Sequence, residues 1–311
     1  MSLFIASLNS GSNGNCYYVG NDREALLIDA GLSCRETELR MQRLGLSMGL
    51  VRGIFISHEH DDHIRGVAVL SRRYQLPVYI TAATREHVSL DTRLVRILQG
   101  AVSIGDLVVT AFPKAHDASD PYSFVVASPT VRVGVFTDIG IVCDNVIRHF
   151  MQCHAVFLEA NYDEQMLEQG RYPYPLKRRI RGGQGHLSNR QALELFMAYR
   201  PAFLSHLLLA HLSQDNNRPE LVQAMFGQEA HGTEVVVASR HQETGVFYVD
   251  GTYHGTVGPQ WNPDGVVAAT PAAPGEAAGA VPVGAATMRR RKKAFSTVDS
   301  IQTRLFNEDA C

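Results

Sequence analysis

His58-Glu59-His60-Asp61-Asp62-His63 decides the reading of this chain. Three histidines and two aspartates stand within six residues, directly after the apolar run Val51–Ile56. A strand that ends in such a cluster carries imidazoles and carboxylates to the mouth of a sheet. His58 and His60 lie two apart, so on extended backbone they point the same way and can grip one metal ion. Asp62 and His63 fall where the chain turns into the helical pattern Ile64–Tyr74 and can reach a second ion. Imidazole and carboxylate together suit Zn²⁺, Mn²⁺ or Fe²⁺. A merely solvated polar turn is the competing reading, and such turns rarely hold this pattern after a buried strand.

A site for two ions needs more ligands, and three residues elsewhere stand in the same position relative to apolar strands. His116 follows the strand Leu107–Phe112, Asp138 ends the strand Arg132–Thr137, and His211 ends the strand Leu207–Ala210. Side chains just past strand ends can converge at one sheet edge. A carboxylate between two ions bridges them, and Asp138 is the candidate. Of the 13 histidines, His87, His149, His154, His206, His231, His241 and His254 have no such setting and read as surface or core residues.

Outward from these residues, strands are expected at Leu3–Leu8, Cys16–Val19, Ala25–Ile28, Val51–Ser57, Pro77–Ile80, Leu107–Phe112, Ser123–Ala127, Arg132–Thr137, Ala155–Leu158, Phe203–Ala210, Glu234–Ala238 and Gly245–Val249. Helices are expected from a capping box at Ser33-Cys34-Arg35-Glu36 to Leu44, and over Ile64–Tyr74, Ala83–His87, Val142–Phe150, Asp163–Glu168, Ser188–Tyr199 and Arg218–Phe226. Arg171–Gly185 reads as a basic loop. Strand-rich halves interleaved with helices point to two packed sheets with helices outside, an α/β sandwich.

The chain has 311 residues, 45% hydrophobic and 19% charged, which fits a soluble globular protein with a large core. Its net charge of −2 leaves room for a local basic groove. No apolar run approaches the roughly 20 residues that span a bilayer, so no membrane association is expected. The five scattered cysteines form no Cys-x-x-Cys pair, which argues against a disulfide framework and for a reducing cytoplasm. Three parts are expected: a catalytic domain over 1–250, a flexible Ala/Gly/Pro-rich linker over 251–287, and a basic tail over 288–311.

The hexad, with His116, Asp138 and His211 in this order, resembles the metallo-β-lactamase superfamily of dinuclear hydrolases. The resemblance implies a four-layer αββα sandwich with a disordered C-terminal extension. It implies two divalent ions, Zn or Mn, the first held by His58, His60 and His116, the second by Asp62, His63 and His211, with Asp138 bridging. Ser10-Gly11-Ser12-Asn13-Gly14-Asn15-Cys16, His116-Asp117-Ala118, Glu159-Ala160-Asn161-Tyr162-Asp163, Tyr172-Pro173-Tyr174-Pro175-Leu176-Lys177 and Gly185-His186-Leu187-Ser188-Asn189 are similar to the YycJ/WalJ-like branch, bacterial metal-dependent DNA exonucleases acting 5′ to 3′. Tyr162 departs from that pattern, where histidine is more usual.

The Glu-Ala and Gly-His-x-Ser elements also resemble the proton-shuttle elements of tRNase Z-type phosphodiesterases. They make His186 a candidate general acid, oriented by Glu159; beside Asp62 these are the candidate catalytic residues. A capping role for His186 and a structural role for Glu159 are the alternatives. Asp29, in Ile28-Asp29-Ala30-Gly31, can accept a hydrogen bond from a ligand imidazole or simply form a turn. Lys177, Arg178, Arg179 and Arg181 are candidates for neutralising DNA phosphates, against the plain alternative of a solvated face. Tyr172 and Tyr174 can stack on bases or pack a proline-rich loop. Gln302-Thr303-Arg304-Leu305-Phe306 resembles the Gln-x-x-Leu-Phe peptide that docks on the bacterial sliding clamp, with Gln302, Leu305 and Phe306 as contacts; a helix docking on its own domain is the alternative.

The expected function is therefore metal-dependent cleavage of nucleic-acid phosphodiesters, foremost 5′-to-3′ DNA exonuclease action in repair. Its rivals are hydrolysis of a small ester, thioester or lactam, and RNA processing. The interval from Asp138 to His211 is too short for the large cap domain of the RNA-processing β-CASP branch.

Overall fold

The computed structural model describes residues 1–251. His254, the linker, the basic run and the Gln302–Phe306 peptide lie outside the described residues. The first half contains β1 (Leu3–Asn9), β2 (Cys16–Gly20), β3 (Ala25–Ile28), α1 (Cys34–Arg43), β4 (Val51–Phe55), α2 (Asp61–Ile64), α3 (Val67–Tyr74), β5 (Val78–Ile80), α4 (Ala82–Glu86) and β6 (Val95–Ile97). The second contains β7 (Val102–Ile104), β8 (Leu107–Pro113), β9 (Tyr122–Ala127), β10 (Arg132–Phe136), α5 (Asp144–Phe150), β11 (Ala155–Glu159), α6 (Glu164–Gln169), α7 (Tyr174–Arg181), α8 (Asn189–Tyr199), β12 (His206–Ala210), α9 (Pro219–Gly227), β13 (Glu234–Val237) and β14 (Phe247–Val249).

The strands form two seven-stranded sheets, ordered β14-β1-β2-β3-β4-β5-β6 and β13-β12-β11-β10-β9-β8-β7. Alternation along the strands explains the layering. In β11, Ala155 and Phe157 enter the core between the sheets, while Val156 and Leu158 face a second core with Val146 and Phe150 of α5 and Leu195 and Phe196 of α8. In β12, Leu208 and Ala210 face inward, and Leu207 and Leu209 outward. On the first sheet, Leu26 and Ile28 face the inner core, whereas Leu27, Ile54 and Ile56 pack with Met41 of α1 and Val67 and Leu70 of α3. Strands apolar on both faces must be covered on both faces, so the helices sit outside and the fold is the αββα sandwich. Among the described residues, no helix is long and apolar enough to cross a membrane.

β3, β4 and β5 run parallel, as do β10, β11 and β12. β8 is antiparallel to β9, and β9 to β10, so β8 shares the direction of β10. The C-terminal ends of β8, β10, β11 and β12 thus share one edge of the second sheet, a position where open α/β sheets bind ligands.

Four local expectations are corrected. The helix expected over Ile64–Tyr74 is two, α2 and α3, interrupted at Gly66. The Gly66 amide donates to Ala30 O (2.8 Å), and a Cβ there would lie 1.8 Å from Leu32 O, so only glycine lets the backbones approach. The capping box at Ser33 is half made: Ser33 accepts from the Glu36 amide, but the Glu36 carboxylate turns to Arg40. β6 and β7, three residues each, were not expected; both are short edge strands whose partly exposed residues carry little periodic signal. Arg171–Gly185 is not a loop throughout, since α7 occupies its centre. Pro173 and Pro175 mask that helix in sequence, although the first turn tolerates proline because its N–H groups need no intrahelical partner.

Candidate metal centre

Strand ends set several of the functional side chains, while Asp62 and His63 lie on α2 and His186 on the loop between α7 and α8. Asp29 follows β3, Asp138 follows β10 and His211 follows β12, and all three take left-handed backbone, with φ of 60°, 55° and 58°. Non-glycine residues hold this conformation at a cost of about 1–3 kcal/mol, and such residues cluster where the surroundings impose them. Here the turn sends each side chain back across its strand end. The surroundings are visible: the Asp29 amide donates to Phe55 O (2.8 Å), and the His211 amide to Ser10 Oγ (2.7 Å).

Four overlapping groups of ligand-type atoms result, one of them Asp138, Glu159, His186 and His211, and two of the others match the expected ligand sets. His58 Nε2 lies 3.0 Å from His60 Nδ1, which lies 3.4 Å from His116 Nε2. Three imidazole nitrogens converge there, with Asp117 Oδ1 3.5 Å from His116 Nε2. In the second set, His63 Nε2 lies 3.5 Å from Asp62 Oδ2, and His211 Nε2 lies 3.4 Å from the same oxygen. Asp138 touches both sets, with Oδ2 3.2 Å from His63 Nε2 and Oδ1 3.9 Å from His116 Nε2. His58, His60 and His116 can together hold an ion, as can Asp62, His63 and His211. Asp138 Oδ2 and His211 Nε2 are buried with no well-formed hydrogen bond, their nearest polar neighbours being His63 Nε2 (3.2 Å) and Asp62 Oδ2 (3.4 Å), a costly state that a cation between them would relieve. The donor set therefore fits divalent metal, which the fold and these clusters support.

A second ring of contacts fixes the imidazoles. Asp29 Oδ2 lies 2.7 Å from His63 Nδ1, and both Asp29 oxygens accept from Ser57, through its amide and hydroxyl (2.8 Å each). Of the two readings of Asp29, contact with an imidazole is the one observed. Ser57 Oγ also stands 2.9 Å from His58 Nδ1, and Gly185 O 3.0 Å from His116 Nδ1. A held Nδ1–H leaves Nε2 bare for an ion. His60 is the exception, presenting Nδ1 to the cluster.

Glu159, at the end of β11 and fully buried, joins the remaining elements. Its Oε1 lies 2.8 Å from His186 Nδ1 and 3.0 Å from His211 Nδ1, and its Oε2 accepts from the Ile139 and Leu187 amides (2.8 and 3.1 Å). Burial would raise its pKa, but His186 and His211 overcome this and hold it at about 2. Burial likewise opposes protonation of His211, yet Asp138 and the other carboxylates push its pKa up to about 10. His63 is driven well above the usual imidazole value in the same way, against burial, by Asp138, Asp29 and Asp62. His58 goes the other way, because burial dominates and its close neighbours are imidazole and Lys114. Lys114 is a buried cation whose Nζ donates to Thr137 O (2.6 Å).

Several contributors were not singled out from sequence. Asn15 donates its amide to Asp62 Oδ2 (3.0 Å) and stands 3.1 Å from His63 Nε2. Asn161 donates to His211 O (2.7 Å). Glu59 Oε1 accepts from the Ser119 amide and hydroxyl (2.7 and 2.8 Å), tying the hexad to the loop after His116. Long-range partners such as these leave no local pattern. Of the histidines expected outside the site, His87, His149, His154, His206, His231 and His241 do lie outside both sets.

The basic residues separate. Arg179 lies at the site, its guanidinium against the Asp117 carboxylate. Lys177 donates to the main-chain carbonyl of Glu168, and Arg181 to Glu168 Oε2 (2.9 Å), so of these two only Arg181 shares its charge with a carboxylate. Arg178 is exposed on the same helix. Tyr172 lines the pocket over the cluster, with its hydroxyl donating to Asp215 Oδ2 (3.0 Å), whereas Tyr174 is 65% exposed beneath the Arg181 guanidinium. Tyr162 is buried, outside both ligand sets, and its carbonyl receives the Asn189 amide (2.8 Å).

Comparison with known proteins agrees with this geometry. The model of the beta-lactamase superfamily domain matches residues 24–211. Exodeoxyribonuclease YycJ of Bacillus anthracis is 37% identical over 235 residues, covering 73% of this chain and 89% of its own. Exodeoxyribonuclease WalJ of Streptococcus pneumoniae is 30% identical over 223 residues, covering 69% and 83%. Among solved structures, the metallo-beta-lactamase fold protein YhfI of Bacillus subtilis superposes with a TM-score of 0.62 at 16% identity, over 80% of this chain and all (100%) of that one. The chain belongs to the beta-lactamase superfamily, in the branch of YycJ and WalJ.

Proposed function

We propose that this protein is a metal-dependent phosphodiesterase that degrades DNA from an end, in the 5′-to-3′ direction, as part of DNA repair. The observation that carries the reading is the Glu159–His186 contact beside the two ligand sets, in a chain 37% identical to a protein named as an exodeoxyribonuclease. His58, His60 and His116 would hold one divalent ion and Asp62, His63 and His211 another, Zn or Mn, with Asp138 between them. When bound, such a pair lowers the pKa of a water and neutralises charge on a phosphoryl oxygen.

The chain's own groups supply the rest. Glu159 takes the Nδ1 side of His186 and fixes the ring, so Nε2 is the face offered to substrate. A proton on that nitrogen passes to the departing 3′ oxygen as the P–O bond breaks. Glu159 keeps its carboxylate charge through the cycle because the Ile139 and Leu187 amides and both histidines favour the ionised form. Arg179 lines the pocket, paired with Asp117, and would turn its charge to a phosphate on exchanging that partner. Lys177, Arg178 and Arg181 would give weaker contacts further along the strand. Docking on the sliding clamp through Gln302, Leu305 and Phe306 rests on their sequence alone.

The decisive experiment incubates the full chain with labelled duplex DNA, RNA and a thioester, each with Mn²⁺, Zn²⁺ or EDTA. Metal-dependent degradation of DNA, with mononucleotides as products, is expected. Thioester turnover without DNA degradation would overturn the reading, and preference for RNA would redirect it to RNA processing.

A further inference from the structure

Phosphate chemistry explains one half of the pocket and leaves the other half without a purpose. The pocket, of about 250 Å³, has an ionic floor of His60, Asp62, Asp138, His186 and His211. Facing it are Tyr172, Leu176, Ile180 and Leu212, side chains that neither an ion nor a bare phosphate would use. Leu176 and Ile180 are four apart on α7, and Arg179 is three from Leu176, so all three share one helical face, and that face lines the pocket. The other basic residues lie off this stripe, and two of them are engaged at Glu168. Leu176 and Ile180 are only half-buried, so apolar area is left over the polar floor.

We infer that α7 is a nucleoside platform: Tyr172, Leu176 and Ile180 seat the sugar and base of the terminal nucleotide, and Arg179, released from Asp117, takes the phosphate beyond it. The inference rests on the phosphodiesterase reading and adds what the site selects, which is one terminal nucleotide with its base. The volume agrees. It falls just below the ~300–1,000 Å³ usual for drug-sized ligands, a size that suits one nucleotide seated against the ligand cluster. The charge pattern agrees too, with apolar contacts where the nucleoside lies and the one pocket-lining guanidinium next to them. The loop after α7 holds the platform in register with the chemistry. The Asp117 amide donates to Gln184 O (2.9 Å) and Gly185 O meets His116 Nδ1, so the helix that would grip the nucleoside is tied to the ligand strand.

The test uses the full-length protein and three oligonucleotides of one sequence, with a base-less tetrahydrofuran sugar at the 5′ end, at the 3′ end, or at neither. The wild type should cut the normal end about ten-fold faster in kcat/KM than the base-less end, the scale of about 1.4 kcal/mol of apolar contact. The two modified ends report polarity at the same time. In L176A/I180A the preference should disappear through loss on the normal end alone, with metal content unchanged, and L176M/I180V should restore it. Calorimetry gives a second readout: thymidine 5′-monophosphate should bind about ten-fold tighter than inorganic phosphate in the wild type and equally in L176A/I180A. Equal loss on normal and base-less ends would make α7 a mere support and overturn the platform, as would a wild type indifferent to the missing base. A wild type that cuts no DNA with any metal would instead sink the phosphodiesterase reading, and the platform with it.

Discussion

The two sheets arm the site in different ways. The first sheet contributes His58, His60, Asp62 and His63 from one turn after β4. The second contributes single residues, each from a different strand end: His116 after β8, Asp138 after β10, Glu159 on β11 and His211 after β12. Underneath, both sheets use one device. A buried carboxylate at a strand end, Asp29 in the first and Glu159 in the second, meets the Nδ1 of a histidine, His63 or His211, and leaves its Nε2 toward Asp62. Orientation is thus set alike on both sides, while the spacing of the ligands depends on one turn in the first sheet and on sheet register in the second.

The largest break in this arrangement comes at Asp138, which touches both ligand sets. Asp138→Ala should lower metal content below that of the wild type and reduce turnover by more than the ~10²–10⁴-fold that a general acid contributes. His60→Ala, confined to the first set, should lose one ion while the other is retained. Metal analysis of both variants checks this, and identical metal loss would show that the two sets bind as one unit. Next in size is His186→Ala, which should slow cleavage by about 10²–10⁴-fold with metal content intact. Loss of metal would make His186 a ligand instead.

The asymmetry also explains what could be read from sequence. The hexad was legible because its spacing is local, and His116, Asp138 and His211 were legible because each follows an apolar run long enough to mark a strand. Asp29 and Glu159 left two readings each, since a carboxylate at a strand end gains its meaning only from the imidazole across the sheet. Asn15 and Ser57 were not identified, because partners that give them meaning lie far along the chain, 48 residues between Asn15 and His63 and 28 between Ser57 and Asp29. α7 was hidden by its prolines, and with it the fact that Arg179 alone of the four basic residues lines the pocket. Gly66, which lets α2 and α3 separate, gave no warning because its constraint is Leu32 O, a through-space contact.

A smaller break tests the shared device. Asp29→Asn keeps the shape of the side chain but removes the charge beside His63 Nδ1, and Glu159→Gln does the same beside His211. Changes to groups that orient metal ligands cost about 10–100-fold in affinity or activity. Asp29→Asn should fall in that range through metal affinity alone. Glu159→Gln should lose more, since it also frees His186. Titration with Mn²⁺ separates the cases: excess metal should restore Asp29→Asn to near wild-type turnover and leave Glu159→Gln impaired. Rescue of both would mean that Glu159 serves the metal and not the proton.

The finest distinction between the two sides is protonic. In the metal-free protein the carboxylates outweigh burial and raise the pKa of His63 well above its ordinary value and that of His211 to about 10, so both rings are biased toward holding a second proton. An ion taken up at Nε2 must displace that proton, so binding releases acid and affinity rises with pH, by about tenfold per pH unit for each proton displaced. The sign follows from raised values: below the folded pKa the proton competes with the metal, and the competition ends only above it. Calorimetric titration with Zn²⁺ at pH 8, in buffers of different ionisation enthalpy, should count about two protons released in the wild type. His63→Ala and His211→Ala should each remove about one, because each sheet contributes one such ring. A release that persists in His211→Ala but vanishes in His63→Ala would mean that the first sheet alone carries the proton load, and the equivalence of Asp29 and Glu159 would fail.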